Sequence, residues 1–105
     1  DLMGMMGKLK ETREKVEATK ARLDTVSLRE SGGEGLVEVV ITANREIKEI
    51  RVDDGLLKDR EALEDYLVIT LNKAIRRATE VHESELSAVA REGMPNIPGL
   101  EQFLK

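Results

Sequence analysis

Apolar residues recur every seven positions in the first 23 residues of the chain. Leu2, Leu9, Val16 and Leu23 carry this spacing, and most positions between them are charged or small. A spacing of seven predicts a helix with a narrow apolar stripe, closer to a coiled-coil seam than to a broad core face. We therefore expect a helix over residues 2–23, about 30 Å long, that projects from the body of the protein or pairs along one edge.

Between residues 25 and 52 the period changes to two, which predicts a three-stranded antiparallel meander. The first strand is expected at 25–29, the second at 36–43 and the third at 47–52. A cluster of serine, glycine and glutamate at 31–35 predicts the turn between the first two strands.

The apolar phase is regular in the second predicted strand and broken in the third. The odd-numbered apolar residues of 36–43 share one face, so we expect that face to lie in the core. In the third strand, Ile50 and Val52 are in phase with each other, whereas Ile47 is out of phase with both.

Helical periodicity returns over residues 60–91. At about 100° per residue, most apolar side chains of this segment fall within an arc of roughly 140°, which is wide enough to cover a sheet. Tyr66 and Ile69 lie on the polar side, where isolated exposed apolar residues indicate a subunit contact. The arc contains Leu63, Leu67, Val68, Leu71, Ala74, Ile75, Ala78, Val81, His82, Leu86 and Val89.

These elements predict a single α+β domain over residues 1–105: a long N-terminal helix, a three-stranded antiparallel sheet, a long second helix packed on the sheet, and an irregular tail over residues 93–105. Tyr66 and Phe103 are its only aromatic residues. A core so poor in rings packs thinly in a monomer, so we expect a homodimer that shares its core, with Tyr66 and Ile69 in the interface.

Composition excludes several classes of protein. The absence of cysteine rules out disulfide scaffolds, cysteine-based zinc sites and cysteine nucleophiles. No segment approaches the ~20 apolar residues of a membrane span, and no signal peptide is evident, although the chain begins at Asp1 rather than at Met. We therefore expect a cytoplasmic protein without a membrane partner. The net charge of -4 weakens a simple nucleic-acid interpretation, but local patches matter more than the sum.

Three features are candidates for a catalytic, phosphate-binding or metal site. The glycines of 32–35 lack the Gly-Lys-Ser/Thr ending of a phosphate-binding loop and lead into a strand, which favours a hairpin turn. Asp53 and Asp54 precede a glycine, as is typical of a turn. His82 lies within the apolar arc, which favours a packed or interfacial histidine. We expect no catalytic residue, no metal, no cofactor and no small-molecule substrate.

The basic residues of the first predicted helix are arranged in rows. Lys8, Lys15 and Arg22 recur every seven residues beside the apolar stripe, and Arg13 and Lys20 flank its other side. Residues 3–22 hold six basic and three acidic side chains, a local charge of +3. Two interpretations remain open: contact with nucleic-acid phosphates, and a solvated helix with internal pairs such as the one between positions 11 and 15.

A second basic cluster, of Lys73, Arg76 and Arg77, is predicted on the outer face of the second helix. Phosphate contact requires cations that neighbouring carboxylates have not neutralised. By this criterion we favour the row that begins at Lys8 over Lys10, because Glu14 lies four residues beyond Lys10.

Several short stretches follow one another in a characteristic order along the chain. They are Gly-Glu-Gly-Leu-Val-Glu-Val at 33–39, Ile-Arg-Val-Asp at 50–53, Leu-Leu at 56–57, Leu-Glu-Asp at 63–65, Leu-Asn-Lys-Ala-Ile-Arg-Arg-Ala at 71–78, Gly-Met at 93–94 and Pro-Gly at 98–99. Together with the leading Met-rich, Lys/Glu-rich helix, this ordered set resembles the YbaB/EbfC family of bacterial nucleoid-associated proteins.

The resemblance implies a helix, three-stranded sheet and helix, assembled as an obligate homodimer whose first helices project like the arms of tweezers. It implies binding to double-stranded DNA through the two helices, a role in nucleoid organisation or gene regulation, and no catalysis. Arg76 and Arg77 match the family pattern directly. The alternative function is a dimeric adaptor that binds a protein through the N-terminal helix or the tail.

Overall fold

The computed structural model describes residues 1–93, so the predicted tail lies outside the described residues from position 94 onward. The described part has the predicted α+β fold, with two helices and one antiparallel sheet. In chain order its elements are α1 (Leu2–Leu23), β1 (Ser27–Gly32), β2 (Val37–Thr42), β3 (Ile47–Val52), a 3-10 turn (Asp54–Lys58) and α2 (Arg60–Glu92).

Aspartate side chains cap the elements that follow the sheet. The Asp53 carboxylate accepts a hydrogen bond from the Gly55 backbone N–H at 3.0 Å and begins the 3-10 turn. The Asp59 carboxylate accepts from the Ala62 N–H at 3.1 Å and begins α2. These contacts satisfy backbone donors that the first turn of a helix leaves without partners. The pair Asp53 and Asp54 therefore belongs to a turn, as its position before a glycine predicts.

The hairpin between β1 and β2 is tighter than the sequence pattern predicts. The strands lie in the order β1-β2-β3, and β1 pairs with β2 as far as Ser31 opposite Glu38 and Gly32 opposite Val37. The first strand therefore begins and ends two to three residues later than predicted. Thr25 and Val26 donate backbone hydrogen bonds back to the end of α1, and pairing with β2 holds Ser31 and Gly32 in the ladder. The remaining residues, 33–36, form the turn, so the expected hairpin is confirmed.

A β-bulge explains why Ile47 is out of phase with Ile50 and Val52 in the sequence. The register between β2 and β3 shifts between Val40 and Ile41, and Ile41 pairs with Ile47. The extra residue that the bulge places in β3 turns Ile47 onto the same face as Ile50. Because cross-strand partners share a face and Ile41 is fully buried, this is the face toward the core.

The core lies between α2 and the first two strands. α2 packs against β1 and β2, and it buries less of its apolar arc than the periodicity predicts, since Val68 is 60% exposed and Ile75 is 42% exposed. Ile50, on the core-facing side of β3, is 46% exposed. The buried cluster consists of Val37, Val39, Ile41, Leu56, Ala74 and Ala78.

Tyr66 does not lie on an exposed polar face. Its ring is half-buried against the core, and it lies so close to Gly33 that a Cβ at that position would approach the ring to 2.5 Å. The expectation of an exposed Tyr66 was wrong because the β1–β2 turn folds over this side of α2. Ile69 is 58% exposed, as its position on the helix predicts.

The C-terminal half of α1 lies antiparallel to the end of α2. Thr19 and Leu23 are buried, Arg22 reaches Glu85, and Thr12 lies against Gly93. The first ten residues of α1 extend past the end of α2, which makes the molecule elongated at 67 × 26 × 14 Å. Neither described helix is long and apolar enough to cross a lipid bilayer.

Candidate nucleic-acid interface

Residues 2–13 of α1 form an arm, most of which extends beyond the end of α2 at Gly93. The arm carries Lys8, Lys10 and Arg13, all exposed. Within residues 1–93, none of these three cations has a carboxylate oxygen within 4.0 Å. The arm therefore presents positive charge that an anionic surface can contact without breaking an existing ion pair.

Two cations nearer the base of α1 are held in pairs along the helix. Lys15 Nζ lies 3.4 Å from Glu11 Oε1, which is the internal pair that the spacing of four predicts. Lys20 Nζ lies 3.6 Å from Glu17 Oε1. All four side chains are about half exposed or more, so each pair stabilises the helix only weakly and a phosphate can compete for the lysine.

The expectation that neighbouring carboxylates leave the row of Lys8, Lys15 and Arg22 free was wrong for Lys15 and Arg22. Arg22 Nη2 donates to Glu85 Oε2 of α2 at 2.8 Å, a bond between residues distant in the sequence. Lys10, which was expected to pair with Glu14, makes no such pair in the described part of the chain. The free cations therefore cluster at the tip of α1 rather than along one row.

Lys73 and Arg77 face the sheet edge instead of the outer face of α2. Arg77 Nη1 lies 3.0 Å from Glu30 Oε1 and also donates to the Arg29 carbonyl at 3.0 Å. Lys73 Nζ lies 3.6 Å from Glu30 Oε2 and donates to the Ser31 carbonyl at 3.0 Å. The predicted outward orientation of these two cations is therefore wrong, because both are drawn to β1.

These contacts cap the free edge of β1. In an antiparallel ladder, alternate residues direct their carbonyls away from the neighbouring strand, and Arg29 and Ser31 are two residues apart. With these carbonyls occupied by α2, β1 is blocked against addition of another strand.

Arg76 lies about 100° around the helix from Arg77. It is exposed and has no acidic partner within residues 1–93.

Asn44, in the turn between β2 and β3, ties the base of α1 to the rest of the molecule. Its Nδ2 donates to the Lys20 carbonyl at 2.9 Å and lies 3.4 Å from Asp24 Oδ1. Its Oδ1 lies 3.2 Å from His82 Nδ1; an amide oxygen only accepts, so the histidine donates. His82 is half-buried and packed, as predicted. Asn44 lies between the second and third predicted strands, and no local signal in the sequence points to these distant partners.

The outer face of the sheet carries charges that neutralise one another. Arg29 Nη1 pairs with Glu38 Oε1 at 2.6 Å, and Arg51 Nε pairs with Glu49 Oε1 at 2.8 Å. The hydrogen bond from Arg51, followed by its positive charge, holds the pKa of Glu49 below its ordinary value. This face therefore offers no excess of positive charge. No group of three or more His, Asp or Glu side chains in residues 1–93 is placed to hold a metal ion.

The sequence model of the YbaB/EbfC DNA-binding family matches residues 1–94. The chain belongs to the YbaB/EbfC DNA-binding family. A protein of Flavobacterium johnsoniae named nucleoid-associated protein is 60% identical over 105 residues, which cover 100% of this chain and 99% of that protein.

More distant relatives carry the same name. A nucleoid-associated protein of Nitrobacter hamburgensis is 37% identical over 102 residues, covering 95% of each chain. Among solved structures, an uncharacterized protein from Helicobacter pylori matches with a TM-score of 0.75 over 80% of this chain and 90% of its own, at 24% identity. This YbaB/EbfC chain therefore shares its fold with a solved structure, and the family resemblance read from its ordered motifs is confirmed.

Proposed function

We propose that the protein is a homodimer that binds double-stranded DNA mainly through its phosphates and acts in nucleoid organisation or gene regulation, without catalysis. The observation that carries the proposal is the cluster of unpaired cations on the arm: Lys8, Lys10 and Arg13. Phosphate contacts supply most of the affinity of proteins that bind DNA without reading its sequence. Cations on a solvent-exposed helix reach phosphates at little cost in stability.

A shared apolar surface supports the homodimer. Ile47 and Ile50 on β3 and Val68 and Ile75 on α2 are between 37% and 60% exposed, a large amount of apolar surface for a soluble monomer. The edge of β3 is open, whereas α2 caps the edge of β1. A second copy that covers β3 buries these side chains and places two arms on one assembly. Ile69, which is also exposed, extends the same proposal on α2.

The cations proposed for DNA contact fall into two groups. Lys8, Lys10, Arg13 and Arg76 are free in the described chain, and they are expected to make the primary contacts. The other five already hold intramolecular partners, so each must exchange a carboxylate for a phosphate. That second group consists of Lys15, Lys20, Arg22, Lys73 and Arg77.

Arg76→Ala is expected to weaken DNA binding more than Arg77→Ala. In a dimer each substitution removes two copies of a side chain, so losing the Arg76 contact lowers the slope of log affinity against log salt by about two. Arg77 is held by Glu30, so its loss changes that slope less and lowers thermal stability instead. The measurement is fluorescence anisotropy of both variants on two unrelated duplexes at four salt concentrations, with thermal unfolding as the control for folding.

Equal salt slopes for the parent and the folded Arg76→Ala variant contradict the role proposed for Arg76.

The alternative function, a dimeric adaptor for another protein, is favoured by the exposed Met and Leu side chains of the arm. If the parent protein shows no salt-dependent binding to any duplex at micromolar concentration, DNA binding is overturned in favour of the adaptor.

Glu30→Gln is expected to raise DNA affinity a few-fold and steepen its salt dependence. The substitution removes the carboxylate that holds Lys73 and Arg77, so both cations become available to phosphate. Glu80→Gln is the matched control, since it removes the same charge from an exposed position of α2. Anisotropy titrations of the two variants measure the difference. An equal gain for both shows a general charge effect and contradicts release of the two cations.

A further inference from the structure

The arm of α1 carries an apolar stripe that no described residue covers. Where α2 packs against the base of α1, Thr19 and Leu23 are buried. Toward the N-terminus the stripe continues with the same seven-residue spacing but is exposed, with Leu2 at 72% and Leu9 at 65%. We call this uncovered continuation the open seam; it consists of Leu2, Met5, Met6 and Leu9.

Cations flank the stripe on both sides. Lys8, Lys15 and Arg22 line one side at intervals of seven residues, and Arg13 and Lys20 line the other. In a pair of packed helices these positions lie opposite the charged side chains of the partner helix. The acidic side chains of residues 8–22 occupy outward positions instead; they are Glu11, Glu14 and Glu17. The stripe is therefore complementary to an apolar helix face with acidic borders.

The covered part of the stripe already shows this complementarity. α2 packs along the base of α1, and the flanking cation Arg22 donates to Glu85 Oε2 of α2 at 2.8 Å. α2 ends at Glu92, and Gly93 lies against Thr12. Lys8 lies two heptads before Arg22 and has no carboxylate oxygen within 4.0 Å in residues 1–93. The open seam therefore continues an existing helix–helix contact beyond the point where α2 ends.

A second copy of the arm does not match the open seam. In a parallel pair of arms the Lys8 side of one helix faces the Arg13 side of the other, and in an antiparallel pair each side faces its own counterpart. Both arrangements place cations opposite cations, which is unfavourable.

Phosphates and lipid surfaces match the open seam less well than a helix does. DNA phosphates pair with the cations but leave the leucine and methionine side chains in water. Helices that lie on a lipid surface present a broad apolar face, commonly with Trp or Phe, whereas the arm has no aromatic residue and a stripe one seam wide. A narrow seam with charged borders is typical of helix–helix pairing.

We propose that the open seam, with Lys8 and Arg13 beside it, binds an amphipathic helix of another protein that carries acidic side chains on both sides of its apolar stripe. The stripe from Leu2 to Thr12 is about 15 Å long, or about three turns of a partner helix. The methionine side chains adapt to apolar partners of different shape. This protein partner is additional to the proposed DNA binding and does not rest on it.

Two synthetic peptides of about 21 residues, or three heptads, test the proposal on the full chain. Both carry leucine along one stripe; the first has Glu at the flanking positions and the second has Lys there. Fluorescence anisotropy of the labelled peptides measures binding. We expect the Glu-flanked peptide to bind roughly tenfold more tightly or better, and Leu9→Gln to remove that binding. Because Leu9 is exposed, this variant should keep its fold. Equal affinities for the two peptides overturn the proposal.

A charge swap tests whether the flanking cations read the acids. The double variant Lys8→Glu with Arg13→Glu should prefer the Lys-flanked peptide. The control double variant, Lys10→Glu with Lys58→Glu, makes the same change in net charge at exposed positions away from the seam and should keep the preference for Glu. Circular dichroism checks that each variant is folded. A preference for Glu that survives the swap at Lys8 and Arg13 overturns the proposal.

Other occupants of the open seam give different results. Binding of the parent, but not of Leu9→Gln, to phosphatidylglycerol vesicles without binding to the Glu-flanked peptide identifies a lipid surface and overturns the proposal. Light scattering that shows a larger assembly of the parent, lost in Leu9→Gln, identifies a second copy and overturns it as well. None of these measurements contains DNA, so their failure is distinct from failure of the proposed function.

Discussion

Ile50→Asp is expected to convert the proposed dimer into monomers and to lower DNA affinity by at least two orders of magnitude. Ile50 lies on the core-facing side of β3, which α2 leaves 46% exposed. In the proposed dimer the second copy covers this position, and burying an unpaired carboxylate there is strongly unfavourable. A monomer carries one arm instead of two, so it loses the gain in affinity from linked contacts, and its salt slope should fall to about half.

The matched control for this prediction is Ser27→Asp. It adds the same charge at an exposed position of β1, the strand whose edge is capped by α2. Light scattering over a range of concentrations measures assembly, and anisotropy measures binding. If Ile50→Asp remains a dimer with unchanged affinity, the interface does not lie on β3, and dimerisation has to be sought elsewhere on the molecule.

Gly33→Ala is expected to lower the free energy of unfolding by about 3 kcal/mol. Gly33 has a φ of +59°, and a Cβ there would lie 2.5 Å from the Tyr66 ring. The left-handed backbone costs a non-glycine residue about 1–2 kcal/mol, and moving a packed ring costs about 1–3 kcal/mol more. For a domain of this size the melting temperature should fall by about 10 °C or more.

Gly35→Ala separates the two contributions. Gly35 also has a positive φ, +91°, but no atom lies within 4 Å of a Cβ built there. Its substitution should therefore show only the backbone cost, about 1–2 kcal/mol. Urea and thermal unfolding at one fixed protein concentration compare the two variants with the parent. A loss at Gly33 no greater than the loss at Gly35 would mean that the Tyr66 ring moves aside freely.

Features that depend on neighbours along the chain were predictable from the sequence. The seven-residue spacing predicted a helix that the structure places at Leu2–Leu23. Period-two alternation identified the face of β2 that joins the core cluster, but it did not indicate that Val40 and Thr42 on the other face are buried as well. The pair of Glu11 and Lys15 follows from their separation of four residues on a helix. Such features repeat the geometry of one element, and a linear pattern therefore contains them. The ordered motifs likewise sufficed to indicate the family.

Which cations of the candidate site are paired with carboxylates depends on how the helices and strands pack against one another. Arg77 bonds to Glu30, which is 47 residues away in the sequence, and Arg22 bonds to Glu85, which is 63 residues away. Helical periodicity gives the direction of a side chain around its own axis, but not which strand or helix lies in that direction. For this reason the sequence identified Arg77 and Arg22 as free cations, whereas the packing of α2 on β1 and of α1 on α2 pairs both with carboxylates.

The bulge in β3 and the hydrogen bonds of Asn44 also depend on contacts between residues that are distant in the sequence. Ile47 is out of phase in the sequence, and pairing with Ile41 turns it toward the core. Asn44 carries no distinguishing signal in the sequence, and the close approach of α1 and α2 gives its amide distant partners. The sequence by itself determined the elements, their apolar faces and the family. The tertiary structure decided which apolar faces are covered and which charges are free, because both depend on contacts between residues that are far apart along the chain.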